Sequence, residues 1–235
     1  MKVMAIGAHP DDVELSCGGL VAKLVSLGHE VGIADLTRGE LGSSGSKKTR
    51  AAESVKAAEI LGVSWRKCCE LPDTGLDHTD RGHLRTVVEL MRSRRPEVVL
   101  SPPGRSRHPD HDEACEILRR ALFLAGLRQF EAGGKPFSSG RILYYMTDVQ
   151  FEPTLIVDVS EFFDKKMKAV RAYRSQFQRS RNDSYPTRLN EPGFLDRIET
   201  RARSLGTMIG KIYAEGFLHD GPLQVDDPVR LLAMV

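Results

Sequence analysis

The amino-acid sequence predicts an α/β fold, a Rossmann-like three-layer sandwich with a mostly parallel sheet. Short apolar runs alternate along the chain with segments in which apolar residues recur at helical spacing. Strands that alternate with helices form mostly parallel sheets covered on both faces. The chain has 235 residues, of which 40% are hydrophobic, and no linker-like change in composition divides it. We therefore expect residues 1–235 to form a single domain.

Strand-helix units follow one another in the first half of the chain. Each expected strand is a short apolar run that stops at a turn, and each helix carries apolar residues along one face. Gly28 and Gly62 follow the first two helices, where glycine commonly ends a helix. The strands are expected at residues 2–8, 31–36 and 65–71, and the helices at residues 12–27, 48–61 and 81–93.

The second half continues the pattern with a strand at residues 97–101 (EVVLS), which is apolar enough to be buried on both faces. Its helix is expected at residues 110–127. Further strands are expected at residues 141–147 and 155–159, and further helices at residues 161–176 and 193–213. The longest segments without a pattern are residues 37–46, 102–109 and 179–192. The first two follow strands directly, so they emerge at the sheet edge where ligands bind.

Charge is nearly balanced, with 34 Lys and Arg against 32 Asp and Glu, a formal net charge of +2. Nonspecific binding to nucleic acid or to an anionic membrane as the main task would require a larger positive excess. A group of arginines, Arg92, Arg94, Arg95, Arg105 and Arg107, lacks interleaved aromatic residues and a recognisable RNA-binding motif. We therefore expect neither a nucleic-acid nor a membrane partner.

The amino terminus, MKVMAIGAHPDD, has an apolar run too short for the core of a signal peptide. The longest uncharged apolar run, near residues 121–127, is far shorter than the ~20 residues of a spanning helix. Cysteines at positions 17, 68, 69 and 115 form no CxxC pair, and we expect them to be reduced thiols in the core. A cytoplasmic location is expected.

A dinucleotide site is the first alternative that this fold suggests, because Asp35 near the end of the second strand could hold a ribose. The turn after the first strand argues against it. Asp11 and Asp12 stand where a pyrophosphate would meet the helix start, and Gly18 and Gly19 come too late. A metal-free nucleotide-binding module remains the alternative of another class, and it would bind nucleotide tightly without zinc.

Histidines and aspartates cluster in two of the loops that follow strands. His9 and Asp12 are three residues apart across a strand-to-helix turn, and His108 and His111 have the same spacing after the fourth strand. Each pair alone fits helix capping or a solvated loop. In a sheet of strand order 3-2-1-4-5, however, the first and fourth strands are neighbours and their loops border a crevice. The two pairs should therefore face each other around a metal ion.

Imidazole nitrogen and carboxylate oxygen without thiolate suit zinc, although other divalent transition metals are tolerated. A site with three protein ligands leaves a position open for water, which is typical of catalytic zinc. If His9, Asp12 and His111 are the ligands, Asp11 and His108 remain beside that water. A base and a second imidazole next to an activated water are typical of metal-assisted hydrolysis.

The motifs AHPDD at residues 8–12 and HPDH at residues 108–111 resemble those of the PIG-L/LmbE-like superfamily of zinc-dependent N-acetylglucosamine-type deacetylases. Further similar segments are TRGE at 37–40, GSKKTRAAE at 45–53, YRSQF at 173–177 and YAEGF at 213–217. The last two resemble the subgroup that makes bacillithiol, so the resemblance extends over nearly the whole chain.

The resemblance implies that His9, Asp12 and His111 are zinc ligands and that Asp11 is the general base. It implies that His108 faces the developing oxyanion, with the Asp110 carboxylate behind it. Arg50 and Arg107 would be arginines that line the substrate pocket. The implied reaction is hydrolysis of the N-acetyl group of N-acetylglucosaminyl malate. Another N-acetylglucosamine conjugate or a chito-oligosaccharide is the alternative substrate. By family analogy we expect a homo-oligomer, a trimer or hexamer.

One departure from the family pattern concerns the oxyanion. Some relatives place a tyrosine in the late segment as a second oxyanion donor, and the aligned position here is Phe194. Tyr185 in the preceding loop is the substitute that the sequence offers, and a solvated loop tyrosine is the competing interpretation.

Overall fold

The computed structural model describes residues 1–138, 140–177, 187–227 and 229. Its strands form one sheet in the order β3-β2-β1-β4-β5-β7-β6. The strands are β1 (Lys2–Gly7), β2 (Glu30–Thr37), β3 (Trp65–Leu71), β4 (Val98–Ser101), β5 (Arg141–Tyr145), β6 (Leu155–Asp158) and β7 (Ala214–Leu218). The helices are α1 (Asp12–Ser26), α2 (Lys47–Leu61), α3 (Arg81–Arg94), α4 (Pro109–Gly126), α5 (Phe163–Val170), α6 (Arg174–Phe177) and α7 (Phe194–Met208).

The first five strands are parallel, and their order confirms the predicted 3-2-1-4-5 arrangement. Strand β1 lies between β2 and β4, with Gly7 opposite Asp35 and Ala5 opposite Leu100. All five strands end at the same edge of the sheet. The chain crosses from one side of β1 to the other at this point, which is where a doubly wound sheet opens a crevice.

The core consists of two apolar layers, one on each face of the sheet. Met4 and Ile6 of β1 pack with α3 and α4, whereas Val3 and Ala5 pack with α1, α2 and α5. Side chains alternate along a strand, and here both faces are buried, which explains why β1 is an uninterrupted apolar run. The predicted three-layer sandwich is confirmed.

The carboxyl-terminal part differs from the prediction. Strand β7 enters the sheet between β5 and β6 and is antiparallel to both. The sequence pattern predicts a helix up to residue 213, but α7 ends at Met208 and Gly210 turns the chain with a φ of +67°. The helix predicted at residues 161–176 is instead a 3₁₀ turn, Ser160–Phe162, followed by α5 and the short α6.

The described residues contain no helix with the length and apolarity needed to cross a lipid bilayer. All four cysteines are free thiols. Cys17 and Cys115 are buried as expected, whereas Cys68 and Cys69 on β3 are only partly buried.

Candidate metal centre

The turn between β1 and α1 brings three polar side chains to the sheet edge. Asp11 stands immediately before α1 with φ 106° and ψ −24°, a left-handed conformation that few residues other than glycine adopt. At Gly7 an added Cβ would lie 2.9 Å from the His9 carbonyl oxygen and 3.0 Å from the Asp12 Cβ, so only glycine fits. This tight, strained turn directs His9, Asp11 and Asp12 together into the crevice.

The loop after β4 supplies the opposite wall. His108 precedes α4, and its Nδ1 accepts a hydrogen bond from the Asp110 backbone N–H at 3.2 Å. Pro109 occupies the first position of α4, where a missing N–H costs nothing. His111 follows in the first turn. The ring centre of His9 lies 4.6 Å from that of His108 and 5.5 Å from that of His111, so the histidines of the two loops meet.

One donor atom from each of His9, Asp12 and His111 lies within 4.8 Å of the other two. Nδ1 of His9 is 3.5 Å from one oxygen of Asp12, and Nε2 of His111 is 3.2 Å from the other. Both imidazoles are tied down through their remaining nitrogen. Nε2 of His9 lies 3.1 Å from an oxygen of Asp73, so it carries the proton and leaves the Nδ1 lone pair free. These nitrogen and oxygen donors fit a zinc-like divalent ion.

The directions of the pKa shifts in this cluster indicate that it favours positive charge. Burial acts to lower the pKa of His9, but contacts with the surrounding carboxylates outweigh it and raise the pKa well above its ordinary value. Burial acts to raise the pKa of Asp12, but His111 and His9 hold it well below its ordinary value. The carboxylates thus favour a cation beside them, which protonated imidazole or a metal ion can provide.

The environment of Asp11 favours its neutral form, in contrast to that of Asp12. Burial raises the pKa of the Asp11 carboxyl to about 7, with the nearby Asp12 adding to the effect and Arg50 opposing it. A carboxyl whose pKa is close to neutral can both accept and return a proton, which is the requirement for a general base that later acts as an acid. The position predicted for the base is therefore electrostatically suited to that role.

Arg50, predicted to contact substrate, lines the crevice but is itself buried. Its guanidinium donates to the carbonyl oxygens of Pro10 at 2.7 Å and Gly39 at 2.8 Å, and it lies 3.4 Å from Asp11. Among the described residues its Nε has no partner. These contacts hold the strained turn in place. Arg107, by contrast, is at the rim, largely exposed, with Nε 3.5 Å from Asp148.

Asp110, expected behind His108, has a carboxylate oxygen within 4.8 Å of ring nitrogens of both His108 and His9, and its hydrogen bond is to His9. Its carboxylate is 3.2 Å from Nε2 of His9 and accepts a hydrogen bond from the Thr74 backbone N–H at 2.8 Å. It therefore stands behind His9, and His108 is instead oriented by the backbone N–H of Asp110. The reason is that His108 precedes the helix, so its ring faces the free N–H groups of the first turn.

Asp73 and Asp148 are site residues that the sequence analysis missed. Asp73 follows β3, and its second oxygen accepts from the Leu41 backbone N–H at 2.7 Å. Burial acts to raise its pKa, but hydrogen bonds from His9 and Leu41 lower the pKa of Asp73 to about 2. Asp148 follows β5 and contacts Ser106 and Arg107. The available signal was their place just after predicted strands, but single aspartates are common in loops.

The crevice encloses about 500 Å³. Its lining includes the histidines and aspartates of the cluster together with Arg188, Arg201 and Phe194. Phe194 stacks on Phe177, and no tyrosine lines the crevice among the described residues, which exclude Tyr185. A second hollow of about 540 Å³ beside α3 and α4 is lined by apolar residues and arginines, with no carboxylate or imidazole among its described residues. The chemistry is therefore concentrated in the crevice.

Comparison with known proteins points to one family. Residues 4–122 match the family described as PIG-L, GlcNAc-PI de-N-acetylase. The chain is 33% identical over 243 residues to the diacetylchitobiose deacetylase of Thermococcus kodakarensis, an alignment that covers 94% of this chain and 86% of that protein. It is 27% identical over 186 residues to the probable N-acetyl-alpha-D-glucosaminyl L-malate deacetylase 2 of Bacillus subtilis, covering 74% and 82%. The crystal structure of a conserved protein from Thermus thermophilus superposes with a TM-score of 0.87 at 35% identity, covering 96% and 97%.

Proposed function

The chain belongs to the PIG-L family of deacetylases, and from this premise we propose that it removes the acetyl group from an N-acetylglucosamine unit by zinc-assisted hydrolysis. The observation that carries the proposal is the convergence of His9, Asp12 and His111 on one point, with the buried Asp11 carboxyl beside it. An ion held by these residues would keep one side open to the crevice, as hydrolytic zinc sites require.

Diacetylchitobiose is the first substrate that we propose. The similarity to the Thermococcus deacetylase is greater in identity and in coverage of this chain than that to the Bacillus malate deacetylase. These comparisons favour the chito-oligosaccharide over N-acetylglucosaminyl malate, the substrate that the sequence motifs alone favour. The two substrates share the N-acetylglucosamine unit and differ only in the group attached to it.

N-acetylglucosaminyl malate remains the second candidate because of the charge at the rim. Arg107 and Arg188 both contact the single carboxylate of Asp148, so within the described ranges these ion pairs set two positive charges against one negative charge. Guanidinium groups bind carboxylates in bidentate geometry, so an anionic group attached to the sugar would be accepted at this position.

Zinc and Asp11 would have distinct parts in the proposed reaction. A bound zinc ion supplies Lewis-acid activation of water and of the amide carbonyl. Asp11 accepts a proton from the water that adds to the acetyl carbon, and it returns this proton to the nitrogen when the carbon-nitrogen bond breaks. The products are acetate and the free amino sugar. Proton transfer by a positioned group contributes roughly 100- to 10,000-fold to the rate.

His108 is the group that we assign to the oxyanion. Its Nδ1 already accepts the Asp110 backbone N–H, so the proton of the neutral ring resides on Nε2, which is then available as a donor. Burial and the neighbouring His9 lower the pKa of His108, which favours this neutral form. Removal of one such donor typically costs roughly 100- to 1000-fold in rate.

The test is a side-by-side assay of zinc-loaded protein with diacetylchitobiose, N-acetylglucosaminyl malate and N-acetylglucosamine, measuring acetate release. We expect the highest kcat/KM for diacetylchitobiose. A clear preference for the malate conjugate would replace the first substrate by the second. Absence of acetate from all three, together with tight nucleotide binding by the metal-free protein, would reject the deacetylase in favour of a nucleotide-binding module.

A further inference from the structure

The two histidines of the metal centre are held in different ways. His9 contacts carboxylates directly through Nε2, at 3.1 Å from Asp73 and 3.2 Å from Asp110. His111 has no carboxylate on its outer nitrogen among the described residues. Its Nδ1 lies 3.0 Å from the hydroxyl oxygen of Ser106, which is in the loop after β4.

The direction of the hydrogen bonds at Ser106 follows from its second partner. The Ser106 hydroxyl lies 2.8 Å from Oδ1 of Asp148. An ionised carboxylate can only accept, so the single hydroxyl hydrogen of Ser106 points to Asp148. The serine oxygen then accepts from His111, whose Nδ1 must carry the proton. The lone pair of His111 is left on Nε2, the nitrogen that lies 3.2 Å from Asp12.

Asp148 is itself held in place from the other side. Its Oδ2 accepts a hydrogen bond from Arg188 at 3.2 Å. The backbone just before it is fixed because Arg201 donates to the Thr147 carbonyl oxygen. Because both its side chain and the backbone before it are held, the Asp148 carboxylate can impose one orientation on the Ser106 hydroxyl. Through that hydroxyl it can orient the imidazole ring of His111.

We propose that Ser106 and Asp148 form a relay that positions His111 and fixes its tautomer for metal binding. Ser106 is thus a positioning residue that acts through His111, and it has no contact with substrate in this role. The proposal rests on the proposed function only in taking His111 as a metal ligand. Loss of such an outer partner typically lowers metal affinity roughly 10- to 100-fold.

The direct test measures zinc affinity rather than turnover. Metal-free wild type, Ser106→Ala, Ser106→Thr and Ser26→Ala are titrated with zinc against a chromophoric chelator near neutral pH. Ser26 is the matched control because its hydroxyl bonds to the Lys23 carbonyl at the end of α1, away from the crevice. We expect roughly 10- to 100-fold weaker binding for Ser106→Ala and, for the threonine and Ser26 variants, a change below about 3-fold.

A second readout reports the tautomer itself. In histidine-labelled, zinc-loaded protein, long-range ¹H–¹⁵N spectra should show His111 protonated at Nδ1 in the wild type, with the signal broadened or changed in Ser106→Ala. If Ser106→Ala does not fold by circular dichroism, Asp148→Ala replaces it and should weaken zinc binding to a similar degree.

Wild-type zinc affinity in Ser106→Ala would overturn the relay, as would a His111 ring protonated at Nε2 in the zinc-loaded wild type. The two proposals fail separately. A protein that binds zinc through this relay yet releases no acetate would retain the relay and lose the deacetylase. An active deacetylase whose Ser106→Ala variant binds zinc normally would retain the deacetylase proposal and reject the relay.

Discussion

Two of the groups of buried charges along helix α1 differ in the balance of positive and negative charge. At the kink near Cys17, the Glu215 carboxylate accepts the backbone N–H groups of Gly19 and Leu20, and Lys166 lies 2.6 Å from it. This pair has one cation, one anion and a partner for each carboxylate oxygen. At the first turn of the same helix, by contrast, the described carboxylates outnumber the permanent cations, and the histidines have to supply the positive charge.

This difference in charge balance distinguishes a binding site from a structural ion pair. Buried charge that is fully matched, as at Glu215, is compensated within the fold and has nothing left to offer a ligand. Buried charge with an excess of one sign is costly unless an ion or a proton joins it, and in a crevice such an excess indicates a candidate functional site. Substitutions in the two groups should therefore have different consequences.

The largest effect is expected for His111→Ala. The crevice loses one of three ligand groups, so the variant should lose its bound metal and deacetylase activity should fall to background. Metal content by mass spectrometry after desalting, together with the acetate assay, measures both. Full metal occupancy in this variant would reject His111 as a ligand and remove the distinction between the two groups.

Asp11→Asn should separate catalysis from metal binding. Asparagine tolerates the left-handed backbone of this position and leaves the ligands intact, but it cannot accept the proton. We expect bound metal as in the wild type and a kcat that is roughly 100- to 10,000-fold lower. If kcat stays within a few-fold of the wild type, the general base is another group.

Lys166→Met should affect stability alone. It leaves the buried Glu215 carboxylate without its cation, which typically costs about 3–5 kcal/mol. Urea denaturation of the metal-free protein should show this loss. The metal content and the activity per folded molecule should remain those of the wild type, because Lys166 lies outside the crevice lining. A loss of metal at unchanged stability would show that the two groups are coupled.

The last effect concerns pH and the stability of the metal-free protein. The folded-state pKa of Asp11, about 7, lies above its ordinary value of 3.8, so its stabilising contribution is present at low pH and is lost as pH rises through 7. Asp11→Asn removes this dependence. In the presence of a chelator the variant should be more stable than the wild type at pH 8, because a pKa raised from 3.8 to about 7 costs the ionised wild type up to about 4 kcal/mol.

Thermal scans between pH 5 and pH 8 check this sign. The advantage of Asp11→Asn should shrink as pH falls towards 5, because the wild-type carboxyl then becomes neutral in the folded state. An advantage that grows at low pH would mean that the folded protein favours the ionised Asp11 carboxyl, contrary to its burial.

The parallel half of the fold and the meeting of His9 with His111 could be predicted from the sequence. Alternating apolar runs and helices predict a doubly wound sheet, and the strand order 3-2-1-4-5 of such a sheet places the loops after β1 and β4 next to each other. Strand β7 could not be predicted in this way, because AEGFL is short and carries the charged Glu215, which is buried in an ion pair with Lys166.

The outer partners of the metal centre could not be predicted for a different reason. His9 and Asp73 are 64 residues apart in sequence, and Ser106 and Asp148 are 42 apart. No local pattern records which single carboxylate or hydroxyl in a loop will reach an imidazole across the sheet edge. The motif YRSQF illustrates the same limit, since its Gln176 fixes the Ser44 carbonyl in the loop beside the crevice.

The position of β7 has a consequence for the order in which the molecule is assembled. A protein chain is synthesised from its amino terminus, so the AHPDD turn is made before β7. Within the described residues, β6 pairs with β7 alone, and the N–H groups at the kink of α1 bond to Glu215 of that same strand. The nascent chain therefore carries an open sheet edge and an incompletely anchored α1 until β7 has been synthesised. The crevice, which begins at the first turn of α1, thus depends on a strand that is synthesised well after the residues of that turn.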